Sequence, residues 1–190
     1  AINNMKNKLY YMASSSFESA CQIDILDKQH PASHLHGHSY KASIRVAETD
    51  IQEKDIQENH EPESFLRQHL EQIIKPLNYS FLNDHLAIPT DENLSRWIRK
   101  QAALKSIDRI AIQSTSECGA DLDSDNNAHI WRRYRFEAAH KLPNVPLGHQ
   151  CGRMHGHGFE VILHANQNLQ KGKLNSDMGI SFEQIDRYWA

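Results

Sequence analysis

Apolar and polar residues alternate along Leu9–Cys21 and again along Leu35–Ala47, with aromatic and β-branched side chains at the alternating positions. Period-two patterning of this kind predicts two long strands, joined by a turn-rich connection around residues 24–34. The period then changes. Phe65, Leu66, His69, Leu70, Ile73 and Ile74 recur at the spacing of one helical face, and Pro76 ends that helix. A second helix is predicted to start at Thr90, where Thr90-Asp91-Glu92-Asn93 follows Pro89 in N-cap fashion and Leu94, Trp97 and Ile98 form the apolar stripe. Ile107–Thr115 alternates as a further strand. The order β-β-α-α-β then begins again, with strands near His129–His140 and Gly158–Ala165 and a helix from Ser181.

The restart reflects an internal repeat. Phe17-Glu18-Ser19-Ala20-Cys21 falls on Phe136-Glu137-Ala138-Ala139-His140 at an offset of 119 residues. The same offset carries His30 onto His149, His36-Gly37-His38 onto His155-Gly156-His157, and Tyr40 onto Phe159, with no gap. Residue 190 is the counterpart of Glu71, so nothing in the second copy corresponds to residues 72–119 of the first. The acidic, polar run Ala120–Asn127 reads as a linker. The expected division is therefore a first unit over 1–119, a linker over 120–127 and the beginning of a second unit over 128–190.

Composition narrows the class. Of the 190 residues, 21 are Lys or Arg and 24 are Asp or Glu, a formal net charge of −3 with histidine neutral. No basic excess exists to hold a nucleic-acid backbone. At 39% hydrophobic residues and with no apolar run near 18, the chain reads as globular rather than membrane-spanning. Its first residues, AINNMKNKLYY, lack the apolar stretch of a signal peptide. Cys21, Cys118 and Cys151 are odd in number and widely spaced, which fits a reducing cytoplasm better than a disulfide framework. Histidine is the outlier. Of 13, His30, His34, His36 and His38 share one window and His140, His149, His155 and His157 another.

Side chains i and i+2 of a strand share a face, with Cα atoms about 6.6 Å apart, so His155 and His157 can converge on one ion. His140, on the preceding strand of an antiparallel pair, is the expected third ligand. Three neutral imidazoles with one open position suit a catalytic zinc ion. Cys151 lies four residues before His155 in a glycine-rich turn, where a thiol near a dication could act as a base. His149 is either a group supporting the ligands or a solvated loop residue, and Cys118 reads as a structural thiol at a strand end. The first copy keeps His36 and His38 but has Cys21 at the position of His140 and Ala32 at that of Cys151. Cys21, His36 and His38 remain a chemically sound zinc set without the base. His34 is too far from His38 along a strand, about 13 Å, to replace Cys21. The pattern predicts nearer one metal per chain than two.

These motifs resemble the 6-pyruvoyltetrahydropterin synthase and 6-carboxytetrahydropterin synthase family. The resemblance is closest over Phe136–Pro143 and Gly148–His157, where Cys151-Gly152-Arg153-Met154-His155-Gly156-His157 looks most like the 6-carboxytetrahydropterin synthases of queuosine biosynthesis. In the first copy, Leu77, Leu82, Asn83 and Asp84, and then Pro89–Leu94, resemble further family stretches. The resemblance implies an α+β tunnelling fold, an antiparallel sheet with two helices on one face, with units associating side by side in a homo-oligomer. It implies zinc on His140, His155 and His157, Cys151 as catalytic base, and 7,8-dihydroneopterin triphosphate as substrate, with loss of triphosphate and side-chain cleavage to a 6-carboxyl and acetaldehyde. No nucleic-acid or membrane partner is implied. The family's assisting Asp-His pair is replaced by Asn78 and Tyr79, and its pterin-anchoring glutamate by Ser114. The second copy stops before these positions. The expectation is that about 50–70 further residues, on the repeat arithmetic, or a neighbouring subunit completes the site; otherwise the protein is a non-catalytic zinc-binding assembly module. A 6-pyruvoyltetrahydropterin synthase activity is the alternative within the family.

Overall fold

Residues 8–48, 61–104, 106–167 and 179–190 are described by the computed structural model. The N-terminal residues 1–7, read above for a signal peptide, and residues 168–178 of the second unit lie outside them. Ten elements follow in chain order: β1 Tyr10–Cys21, β2 His36–Ala47, α1 Pro62–Ile74, β3 Ser80–Phe81, α2 Asp91–Ala102, β4 Ile107–Thr115, β5 Cys118–Leu122, β6 Ala128–His140, β7 His155–Gln167 and α3 Phe182–Trp189. The strands form one sheet in the order β3-β1-β2-β4-β5-β6-β7, antiparallel throughout except for the short β1–β3 pair. An α+β architecture is therefore observed. No helix among the described residues is long and apolar enough to cross a membrane.

Alternation places the core. Tyr40, Ala42, Ile44 and Val46 of β2 are buried at every second position, as are Ile110 and Ile112 of β4. They pack with Leu66, Leu70, Ile73 and Ile74 of α1 and Leu94 and Ile98 of α2 in a single cluster. Each Leu, Ile or Val among them contributes about 1.5–3 kcal/mol on leaving water. Helix α1 begins at Pro62, three residues earlier than its apolar stripe predicts, because proline at N1 sacrifices no hydrogen bond. Thr90 takes N-cap backbone angles as expected, although its side chain makes no capping bond, and Ala103 ends α2 in the left-handed region.

The run read as a linker over 120–127 is corrected by the fold. Residues 118–122 form β5, which pairs with β4 on one side and β6 on the other. Ala120 and Leu122 are fully buried, while Asp121 between them points away and pairs with Arg109 at 2.6 Å. Two core positions interleaved with acids look polar in composition yet are still alternating. Only the tight turn at 123–127 connects β5 to β6. There Asp123 Oδ1 accepts from the backbone N–H groups of Asp125 and Asn127, both at 2.9 Å.

Details recur at the 119-residue offset. Phe17 stacks on Tyr40 at 5.0 Å and Phe136 on Phe159 at 5.0 Å. Cys21 sits opposite His36 in the β1–β2 ladder, as His140 sits opposite His155 in the β6–β7 ladder. Helix α3 occupies the sequence position of α1, and its buried Ile185 is the counterpart of the buried Leu66. β7 starts at His155 rather than at Gly158, which brings both histidines of the second His-Gly-His onto the strand.

Candidate metal centres and active site

At the loop end of the β6–β7 hairpin, the ring centroids of His140, His155 and His157 lie 4.7–5.0 Å apart. Their nitrogen donors all come within 4.8 Å of one another, so the three expected ligands are brought together. His155 Nδ1 donates to the Arg153 carbonyl at 2.8 Å. That bond keeps the proton on Nδ1 and leaves Nε2 free to coordinate. The second loop makes a short 3₁₀ turn at Gln150–Gly152, capped by His149, whose Nδ1 accepts from the Cys151 backbone N–H at 3.1 Å. His149 thus shapes the loop rather than standing free. The Leu142 N–H donates to the Cys151 carbonyl at 2.8 Å, which ties Cys151 to the chain leaving His140. Cys151 is partly exposed at the same hairpin end but is not a member of the histidine group.

The first unit repeats this construction with its cysteine buried and its histidines half-buried. Cys21, His36 and His38 also bring their donors within 4.8 Å of one another. His36 Nδ1 donates to the His34 carbonyl at 2.8 Å, and the Cys21 thiol lies 3.4 Å from both His36 Nε2 and the Tyr40 hydroxyl. His34 itself supplies only that carbonyl. Burial pushes the Cys21 thiol up, and burial with the neighbouring His36 lowers His38, which favours its neutral, coordinating form. His30 caps its loop as His149 does, accepting from the Ala32 N–H at 3.1 Å, and its Nε2 reaches Glu183 of α3 at 3.1 Å.

A cavity of about 380 Å³ opens beside this first centre, between α2, the β4–β5 turn and the start of α3. Asp91 and Glu92 line it, and both are buried. Desolvation pushes the Asp91 carboxyl up to about 7 despite a 2.6 Å hydrogen bond from Ser114 Oγ. Desolvation raises Glu92 as well. Sequence reading found these acids only as the start of a helix; a carboxyl in a helix's first turn is ordinarily solvated, and no local signal marks it as buried. Tyr40 was visible only as the partner of Phe159, the extra hydroxyl being the one clue.

Asn78 Oδ1 accepts from the Glu18 N–H at 2.9 Å, Tyr79 is 85% exposed with φ 54°, and Ser114 is engaged by Asp91. Cys118 is a buried thiol 3.0 Å from Thr115 Oγ1 at the β4–β5 turn.

Two solved structures are similar at low identity. One is the 6-pyruvoyl tetrahydropterin synthase of Caenorhabditis elegans, 11% identical, matched over 58% of this chain and 91% of that one with a TM-score of 0.43. The other is an uncharacterized protein from Wolinella succinogenes, 13% identical, matched over 60% of this chain and 98% of that one with a TM-score of 0.42. The sequence itself is more informative. A model of the family described as 6-pyruvoyl tetrahydropterin synthase matches residues 11–124 and again 129–190, spans that between them hold both His-Gly-His hairpins and leave out little besides the β5–β6 turn and the N-terminal residues. On that match the chain belongs to the 6-pyruvoyl tetrahydropterin synthase family.

Proposed function

We propose that this protein is a zinc-dependent lyase acting on 7,8-dihydroneopterin triphosphate, most like 6-carboxytetrahydropterin synthase, and that it works as a homo-oligomer in the cytoplasm. The observation that carries this reading is the convergence of His140, His155 and His157 beside the Cys151 loop. The donor set fits zinc: three imidazoles, one with its tautomer set by a backbone carbonyl, and a partly exposed side left for a further ligand. Zinc, when bound, supplies Lewis acidity toward the hydroxyls of the substrate side chain. The chain's own contribution is then positioning and proton transfer. His155 and His157 are held on one face of β7, and His140 faces them across the ladder. The Cys151 thiol is the group we assign to move a proton at the substrate side chain, as general base.

The second reading, a non-catalytic zinc-binding module, is favoured by one observation in the first unit. Asn78 and Ser114, at the positions of the family's assisting and anchoring residues, are committed to hydrogen bonds within the fold. Incubation of the zinc-loaded full chain with 7,8-dihydroneopterin triphosphate separates the readings. A 6-carboxyl pterin with released acetaldehyde, identified by mass spectrometry, supports the proposal. A 6-pyruvoyl product moves the assignment to the other family activity, and unconverted substrate with full zinc occupancy identifies the module.

A further inference from the structure

We propose that the side of the sheet away from the helices carries a binding site for a polyphosphate anion, free or attached to a nucleoside, at the seam between the two units. A groove of about 440 Å³ lies there. Its middle follows one row across the sheet: Lys41 on β2, Gln113 on β4, Gly119 on β5, Trp131 on β6 and His164 on β7, each opposite the next in the ladder. Directly opposed side chains share a face, and five strands at about 4.8 Å apart make the row about 19 Å long. Gly119 is its low point. A Cβ there would lie 2.8 Å from Trp131 Cζ2, so the indole closes over the glycine.

Charge sets the class of ligand. Three cations line the groove, Lys41 in the row with Arg109 and Arg133 on opposite flanks, against one carboxylate, Asp121. Asp121 takes Arg109 Nη2 at 2.6 Å. Glu160 stands 3.8 Å from Arg133 Nε, beyond hydrogen-bond length, and is held instead by Arg135 at 2.6 Å. Lys41 pairs with no carboxylate among the described residues. The Nε atoms of Arg109 and Arg133 are buried without a hydrogen-bond partner among those residues. A guanidinium has five N–H donors, of which one carboxylate engages at most two. The surplus of donors and positive charge, spread over three sides of one groove, matches an anion with several charged oxygen groups rather than a single carboxylate.

The internal repeat shows that this surface is particular to the seam. At the 119-residue offset, Trp131, Arg133 and Arg135 stand where β1 has Met12, Ser14 and Ser16, and Lys41 stands where β7 has Glu160. The site is also separate from the metal centres. Ile130 of β6 packs with Ile185 of α3, and His140, an even number of residues along an unbroken ladder, shares that face; Trp131 and Arg133 face the other way. The inference uses no residue of the pterin reading and does not depend on it.

Titration of the full chain with inorganic tripolyphosphate, followed by calorimetry and tryptophan fluorescence, tests it. One equivalent per chain is expected to bind, with a fluorescence change that Trp131→Leu removes. Lys41→Ala and Arg133→Ala should each weaken binding about tenfold or more. Lys41 is exposed, so its variant keeps the test valid should Arg133→Ala fail to fold. The double variant His140→Ala, His155→Ala should bind as the wild type does. ATP bound as tightly as tripolyphosphate identifies a free polyphosphate as the ligand; ATP bound more tightly, with the gain lost in Trp131→Leu, identifies a nucleotide, and either supports the site. Absence of binding overturns the proposal, as do an affinity unchanged in Lys41→Ala and Arg133→Ala and binding that disappears in the histidine double variant.

Discussion

His155 and His36 differ in surroundings but share one device, a ring N–H given to a carbonyl two residues earlier. It sets the tautomer of each ring through a single bond, so substitutions at this scale have separable effects. Cys151→Ala removes the proposed base and none of the ligand nitrogens. Turnover should fall by about 10²-fold or more with zinc content unchanged, measured as product formation and elemental analysis on the same preparation. Unaltered turnover would remove Cys151 from the mechanism. The triad was legible in the sequence because strand geometry makes i and i+2 neighbours whatever lies around them. Asp91 and Glu92 were not, because whether a carboxyl in a first helical turn is wet depends on what surrounds it; here the start of α3, about 90 residues further along, lines the same cavity.

At the level of elements, the β5–β6 turn and α3 carry consequences that can be measured. Partial burial pushes the Asp123 carboxyl up, but hydrogen bonds from His129, Asn127 and Asp125 outweigh it and hold the group below the ordinary carboxylate range. A depressed folded-state value contributes stability above the unfolded value near 3.8, lost as the pH falls through the folded one. Asp123→Ala should therefore cost about 1 kcal/mol at neutral pH, allowing for solvent screening, and the difference from wild type should shrink in acid; urea melts at pH 7 and pH 3 check both. Helix α3 is anchored by buried Ile185, which packs with Ala120 and Ile130. Ile185→Ala should cost about 2–4 kcal/mol and raise hydrogen exchange through 182–189 with little change in α1. A uniform rise across both helices would refute a local anchor. The long strands and the helices were readable from period and capping signals, but the two-residue β3 and the five-residue β5 were not. The latter's five residues offer only Ala120 and Leu122 as apolar alternation around acids, too short a pattern to stand against a polar composition.

For the molecule as a whole, β7 is the critical boundary. Thirteen residues long, it is hydrogen-bonded to β6 along one side and, among the described residues, ends the sheet, with Ile162 exposed. Long unpaired edges of this kind invite pairing with another chain. Light scattering should return a mass that is a multiple of 21.9 kDa, and a clean monomer would count against assembly. The β5–β6 ladder carries a different lesson, for anyone who would take the protein apart. A cut in the turn at 123–127 severs one peptide bond and leaves the five registered pairs from Cys118↔Arg132 to Leu122↔Ala128 in place. The pieces should remain together after nicking and should find each other when made separately, each being the missing edge of the other. The two halves of this sheet are in that sense not two beads on a string but a split-protein pair that happens to be covalently joined.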